Sequence, residues 1–179
     1  MAAVESFTSG RLRLRRPVTA DVSAIFARYA ADPEVTRYLS WPTHTSTADT
    51  EAFIAFSDEA WARGPSGPLL IETLDGTLLG GTGLGFDTAT RASTGYVLAR
   101  DVWGRGFATE TLHAMVELAR SLGLWRLDAI CHHTHGASAR VLEKGGFERE
   151  AVMRRHTVFP NLDDPTPQDV LLFARVFER

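Results

Sequence analysis

The chain has a single cysteine, Cys131, so no intrachain disulfide can form and an oxidising compartment is not implied. A lone cysteine in an apolar run is more often a small buried hydrophobe than a nucleophile. No apolar stretch approaches the roughly 20 residues of a membrane span, and residues 1–10 lack the basic and apolar regions of a signal peptide. A cytoplasmic location without a membrane partner is therefore expected. Charge of one sign is also scarce: 19 Lys and Arg stand against 22 Asp and Glu, a formal net charge of −3. The charges are interspersed and form no basic stripe, which argues against nucleic acid as a partner. Low-complexity tracts, internal repeats and linkers are missing too. What is present is 179 residues, 44% of them hydrophobic, enough for one core without disulfide or metal. One domain spanning residues 1–179 is expected.

Periodicity supplies the elements. Leu12 and Leu14 alternate with Arg11, Arg13 and Arg15 as a half-buried strand ending at Pro17. Thr19 to Tyr38 reads as a helical pair, the second member starting at Asp32-Pro33-Glu34. Phe53, Phe56, Ala60 and Trp61 mark a further helix. Leu69–Thr73 and Leu78–Leu84 form a hairpin about Asp75-Gly76. Gly95–Arg100 is a strand, and Leu112, Met115, Ala119 and Leu122 line a helix closed by Gly123. A strand at Arg126–His132, a helix at Ala137–Lys144 capped by Gly145-Gly146, and strands at Phe147–Thr157 and Val170–Val176 complete the chain. This order predicts an α+β or mixed α/β layer about one sheet.

The segment that carries chemistry runs from Val97 to Glu110: a strand, a turn with small residues at Gly104, Gly106 and Ala108, then a helix. A helix start presents unpaired backbone N–H groups and the positive end of the macrodipole, which suits a phosphate or diphosphate. Glycines let the backbone close around the anion, and Arg105 can add a cationic contact. A plain strand-to-helix turn would also use glycine here.

The spacing of Gly104, Gly106 and Ala108 resembles the pyrophosphate loop of the GNAT acetyltransferase superfamily, with Trp103 where that pattern has Arg or Gln. Trp103-Gly104-Arg105-Gly106-Phe107-Ala108-Thr109-Glu110 is similar to the variant in the ribosomal-protein N-terminal acetyltransferase branch. His135-Gly136-Ala137-Ser138, with Lys144-Gly145-Gly146-Phe147, resembles that branch's Asn-x-Ala-Ser and Lys-x-Gly-Phe block. Gly10–Arg15, Pro160-Asn161 and Asp169–Leu172 fit it as well.

The resemblance implies a mostly antiparallel twisted sheet of about six to seven strands, helices on both faces, and splayed parallel strands at the cofactor site. It implies acetyl transfer from acetyl-CoA, as co-substrate and without metal, to a primary amine by direct attack. The acceptor would be a protein N-terminal α-amine or a small-molecule amine. Val97, Leu98 and Ala99 would hold the pantetheine arm, Gly104, Arg105, Gly106, Phe107, Ala108 and Thr109 the diphosphate, and His135 would replace an Asn that contacts the arm. Ser138 sits where relatives place the hydroxyl that protonates the leaving thiolate; otherwise it would bond its own helix backbone. Main chain at the splayed strand end is the candidate oxyanion donor.

The general base is not marked. His156 is one candidate, since imidazole titrates near neutral pH; Tyr96 and Glu72 are others. A terminal α-amine, with a pKa of about 8 against about 10.4 for lysine, needs no strong base. A non-catalytic CoA-binding sensor of the same fold is the alternative reading. Cys131-His132-His133-Thr134-His135 has metal-ligand chemistry, but strand alternation would put His132 and His133 on opposite faces. Gly80–Gly85 lacks the following helix of a dinucleotide loop and reads as a glycine-rich strand allowing a bulge or a close approach. A homodimer is the commonest closed assembly.

Overall fold

Alternation builds the first part of the sheet. In a computed structural model that describes residues 5–178, Leu12 and Leu14 are fully buried on β2 (Leu12–Arg15) while Arg13 between them is exposed. The remaining strands are β1 (Ser6–Ser9), β3 (Pro68–Thr73), β4 (Leu78–Thr88), β5 (Arg91–Leu98), β6 (Arg126–His132), β7 (Glu148–Thr157) and β8 (Gln168–Val176). They form one sheet of eight strands in the order β1-β2-β3-β4-β5-β6-β8-β7. Every neighbouring pair is antiparallel except β5 and β6. The strand beyond the expected six to seven is β1, whose Ser-Phe-Thr-Ser sequence carries too little apolar alternation to announce itself.

Helices cover both faces. Leu69, Leu70, Ile71 and Glu72 are buried in succession on β3, and since successive residues point to opposite faces, both must be covered. The expected helical pair over 19–38 is broken into a 3₁₀ turn (Thr19–Asp21), α1 (Val22–Ile25), a π turn (Phe26–Ala30) and α2 (Pro33–Thr36). Ala31 N–H donates back to Phe26 C=O at 3.2 Å, the wide bond of a π turn. Asp32 caps α2 by accepting from Glu34 N–H. Arg15 anchors this region: its guanidinium takes both Asp21 carboxylate oxygens at 2.7 Å and Glu72 Oε1 at 2.6 Å. Glu72 is thus engaged by Arg15 in the interior. α3 (Thr47–Arg63) packs on β3, α4 (Phe107–Ser121) on β4 and β5, and α5 (Gly136–Lys144) on β6 and β7. No helix among the described residues is long and apolar enough to cross a membrane.

Both later helices end as the glycines foretold. Gly123 N–H bonds Arg120 C=O and Leu124 N–H bonds Ala119 C=O; Gly146 N–H bonds Glu143 C=O and Phe147 N–H bonds Leu142 C=O. These paired bonds are Schellman closures, with Gly123 at φ +72° and Gly146 at φ +78° supplying the left-handed residue.

The glycine-rich start of β4 serves a close approach of backbone. A Cβ at Gly80 would overlap the Val97 carbonyl, and one at Gly83 would lie 2.9 Å from the Gly67 carbonyl and Pro68 Cα. Gly80→Ala should therefore destabilise the fold by about 1–3 kcal/mol. Gly95→Ala, where an added Cβ meets nothing within 4 Å, should stay within about 0.5 kcal/mol of the parent. Denaturant unfolding of the two variants checks this; equal losses would reject the close approach as the reason for glycine.

Candidate active site

The sheet opens at its one parallel junction. β5 and β6 pair only at Arg91–Arg126, Ala92–Leu127 and Ser93–Asp128, although β5 runs on to Leu98 and β6 to His132. Beyond Ser93 and Asp128 the two strands splay, as expected. Ala99 N–H donates to Leu79 C=O at 2.8 Å, so antiparallel alternation turns the polar groups of Val97 toward β4 as well. Those of Tyr96 and Leu98 face the gap. Of the three residues expected to hold an extended arm, only Leu98 is therefore free to do so from this edge, and Tyr96 joins it. The Leu98 carbonyl accepts from the Trp103 indole N–H at 2.7 Å, which gives Trp103 a structural role at the end of β5.

The strand leads into the turn that the glycine spacing singled out. Gly104 (φ +74°) and Gly106 (φ +83°) are both left-handed, and Gly106 is the N-cap of α4 with no side chain capping the helix. The first helical bond runs from Glu110 N–H to Gly106 C=O at 3.1 Å. The N–H groups of Phe107, Ala108 and Thr109 are thus left outside the helical ladder, at the positive end of a 15-residue helix. Surrounding ion pairs fix the turn. Arg28 grips Asp101 through two bonds of 2.9 and 3.0 Å, holding that carboxyl below its ordinary range. Arg100 meets Asp32 at 3.2 Å. Arg11 donates to Glu110 from its backbone at 2.6 Å and its side chain at 3.0 Å, and to the Arg105 carbonyl at 3.2 Å, while stacking on Phe107.

Ser138 reaches across the gap. Its Oγ lies 3.2 Å from the Tyr96 hydroxyl, so it is turned toward β5 and not toward its own helix backbone. Burial pushes the Tyr96 phenol up, partly offset by that bond. Burial pushes the Cys131 thiol up to about 11, partly offset by the nearby Ser138 hydroxyl; it is a protonated, buried side chain and not a nucleophile.

His135 departs from the Asn of the resemblance, and its ring stacks on Tyr38 at 4.6 Å. Tyr38 stacks on His132 too, at 5.0 Å, and Phe159 closes on His132 edge-on at 5.0 Å. Burial lowers the affinity of both imidazoles for a proton. β6 ends at His132, so strand alternation does not separate the next residue: the His132 and His133 rings lie 4.7 Å apart. Among the described residues, no group of three or more His, Cys, Asp or Glu side chains could hold a metal. His156 is exposed, with Nδ1 2.8 Å from Thr157 Oγ1, and makes no contact with Ser138 or Tyr96. Asn161 links the two loops of this region: its side-chain amide donates to the Thr36 and Trp41 carbonyls at 2.7 and 2.9 Å and accepts from Thr43 N–H at 2.7 Å. The Tyr38–His132 stack had no periodic signal in the sequence; His135 and Pro160-Asn161 pointed to this corner through the resemblance.

The Acetyltransferase (GNAT) domain family model matches residues 11–148. An uncharacterized N-acetyltransferase, YoaA of Bacillus subtilis (strain 168), is 32% identical over 174 residues, which cover 94% of this chain and 95% of YoaA. A second uncharacterized N-acetyltransferase, p20 of Bacillus licheniformis, is 28% identical over 156 residues, 84% of this chain and 86% of p20. Among solved structures, the ribosomal L7/L12 α-N-protein acetyltransferase RimL in complex with coenzyme A matches with a TM-score of 0.85 at 22% identity, covering 97% of this chain and 98% of that one. At that identity the likeness is one of fold.

The buried imidazoles give a pH dependence of definite sign. His132 and His135 bind a proton less readily when folded than the reference value of 6.5 allows. The unfolded chain therefore takes up more protons on acidification, and the stability present above that value is lost as pH falls through the lowered folded values. The melting temperature should drop between about pH 7 and pH 5, and His135→Asn should shrink the drop. An unchanged drop in that variant would show that His135 does not contribute.

Proposed function

The chain belongs to the GNAT acetyltransferase family, and on that premise we propose that it transfers an acetyl group from acetyl-CoA to a protein N-terminal α-amine in a ternary complex. One observation carries the cofactor assignment: an unpaired strand edge leads directly into an uncapped helix start. Such an edge is matched by the amide-bearing pantetheine arm, which pairs with Tyr96 and Leu98 as an added strand would. The diphosphate then accepts from the N–H groups of Phe107, Ala108 and Thr109, with Arg105 beside it.

Chemistry follows from what flanks the gap. The neutral amine attacks the thioester carbonyl carbon and forms the C–N bond; main-chain donors at the open edge of β5 stabilise the oxyanion. Collapse breaks the C–S bond, the nitrogen loses its extra proton to water, and Ser138 protonates the departing thiolate. Tyr96, hydrogen-bonded to Ser138, replaces that proton and is itself reprotonated from solvent. An α-amine is favoured as acceptor because a pKa of about 8 leaves a useful neutral fraction without a strong base. The buried carboxylate of Glu72 is committed to Arg15, and no carboxylate bonds to the Tyr96–Ser138 pair. The RimL likeness supports the same acceptor.

Thiol release from acetyl-CoA, followed against a panel of peptides and small amines, tests the proposal. N-terminal α-amines should be consumed. Gly106→Trp, which forces a bulky side chain into a left-handed position of the turn, should abolish acetyl-CoA binding. Ser138→Ala should lower kcat by about 10²-fold with little change in KM for acetyl-CoA. Acetyl-CoA binding without consumption of any amine would establish the sensor reading instead, and no binding at all would refute the cofactor assignment.

A further inference from the structure

We infer that His132 reads the acceptor: its Nε2–H donates to the carbonyl oxygen of the acceptor's first residue, favouring α-amines that carry such a carbonyl over simple alkylamines. This rests on the proposed transferase reading and adds to it the residue that selects the substrate.

The tautomer is set by the chain itself. Thr134 backbone N–H donates to His132 Nδ1 at 3.2 Å, and the Thr134 hydroxyl lies 2.8 Å from the same nitrogen. With Nδ1 accepting, a neutral imidazole carries its hydrogen on Nε2. Burial keeps the ring neutral. Nε2 is buried and has no hydrogen-bond partner among the described residues, in a side chain that is itself only 5% exposed. A buried donor left without an acceptor is costly, and native proteins rarely leave one without a purpose.

The donor belongs to the end of the strand that borders the gap. His132 is the last residue of β6, on the strand that diverges from β5, and its carbonyl accepts from His135 N–H at 2.8 Å at the start of the helix that carries Ser138. Tyr38, His133 and Phe159 surround the ring. Tyr38 is partly buried and His133 exposed, whereas Phe159 is 4% exposed. The acceptor carbonyl is proposed to enter on the side of Tyr38 and His133. No acceptor among the described residues meets Nε2; a simple alkylamine brings none either, since its ammonium has no lone pair and the lone pair of its neutral form is the one that attacks the thioester. An α-amino acyl group places a carbonyl oxygen two bonds from the carbon that bears the reacting nitrogen, so amine and carbonyl are presented together.

The test compares an alanyl peptide with isopropylamine, which has an amine on a similar carbon but no carbonyl. Both are measured with the parent, His132→Phe, which keeps an aromatic ring on Tyr38 but has no donor, and His132→Gln, whose amide restores an N–H near the Nε2 position. The expected result is a rise of about tenfold in KM for the peptide in His132→Phe, recovery in His132→Gln, and no change in kcat/KM for isopropylamine. An equal loss on both acceptors would assign His132 to packing or to the thioester oxyanion and overturn the inference, as would no loss on the peptide. Independently of turnover, the Nε2 resonance of ¹⁵N-labelled His132 should shift when the peptide is added to the protein with CoA, and not with isopropylamine. An unmoved resonance refutes the inference. A parent protein that consumes acetyl-CoA with no amine at all refutes the transferase reading itself.

Discussion

A strand edge inside a sheet cannot go unpaired without cost, because every buried backbone N–H and C=O requires a partner. β5 and β6 break that rule after three residue pairs, and the rest of the site is arranged around the breach. Each strand is fully committed on its other side, β5 to β4 and β6 to β8, so the breach cannot close by a shift in register. Local side chains meet part of the need: the Trp103 indole serves the Leu98 carbonyl, and the Tyr96–Ser138 bond spans the opening. The remaining edge is suited to a guest with amides of its own, as the proposed cofactor has.

What keeps the opening in shape is electrostatic and comes from far along the chain. The turn after β5 is held by Arg28 on Asp101 and Arg100 on Asp32, so the helical segment over residues 19–36 sets where the proposed cofactor loop sits. Exposed ion pairs contribute little to global stability; here their effect is positional. Asn161 does the same for the opposite wall by joining the loop around Trp41 to the one after β7. The proposed acceptor and cofactor sites are therefore framed by the same N-terminal segment.

Much of this was legible in the sequence, for physical reasons that differ by element. The left-handed residues at Gly104, Gly106, Gly123 and Gly146 require glycine, and glycine is visible in a sequence. Strong period-two and helical patterns marked β2 and α4. The first strand was missed because a short polar edge has no core to face, and the helical pair was overdrawn because apolar spacing does not distinguish a π turn from an α-helix. At the site, backbone direction proved harder than residue identity. Ala99 was expected to face the gap, but one peptide of alternation turns its N–H to Leu79. The Tyr38–His132–His135 stack joins residues nearly a hundred positions apart, and nothing local encodes such a meeting.

Arg11 and Glu110 connect the first hairpin to the first turn of α4, and a Cβ at Gly10 would collide with the Glu110 carboxylate. The first hairpin thus buttresses the turn that precedes α4. Trimming that hairpin, or fusing a rigid domain directly ahead of Gly10, would shift the turn proposed to hold the acetyl donor, and a loss of turnover in such a variant would report on a displaced buttress and not on the chemistry.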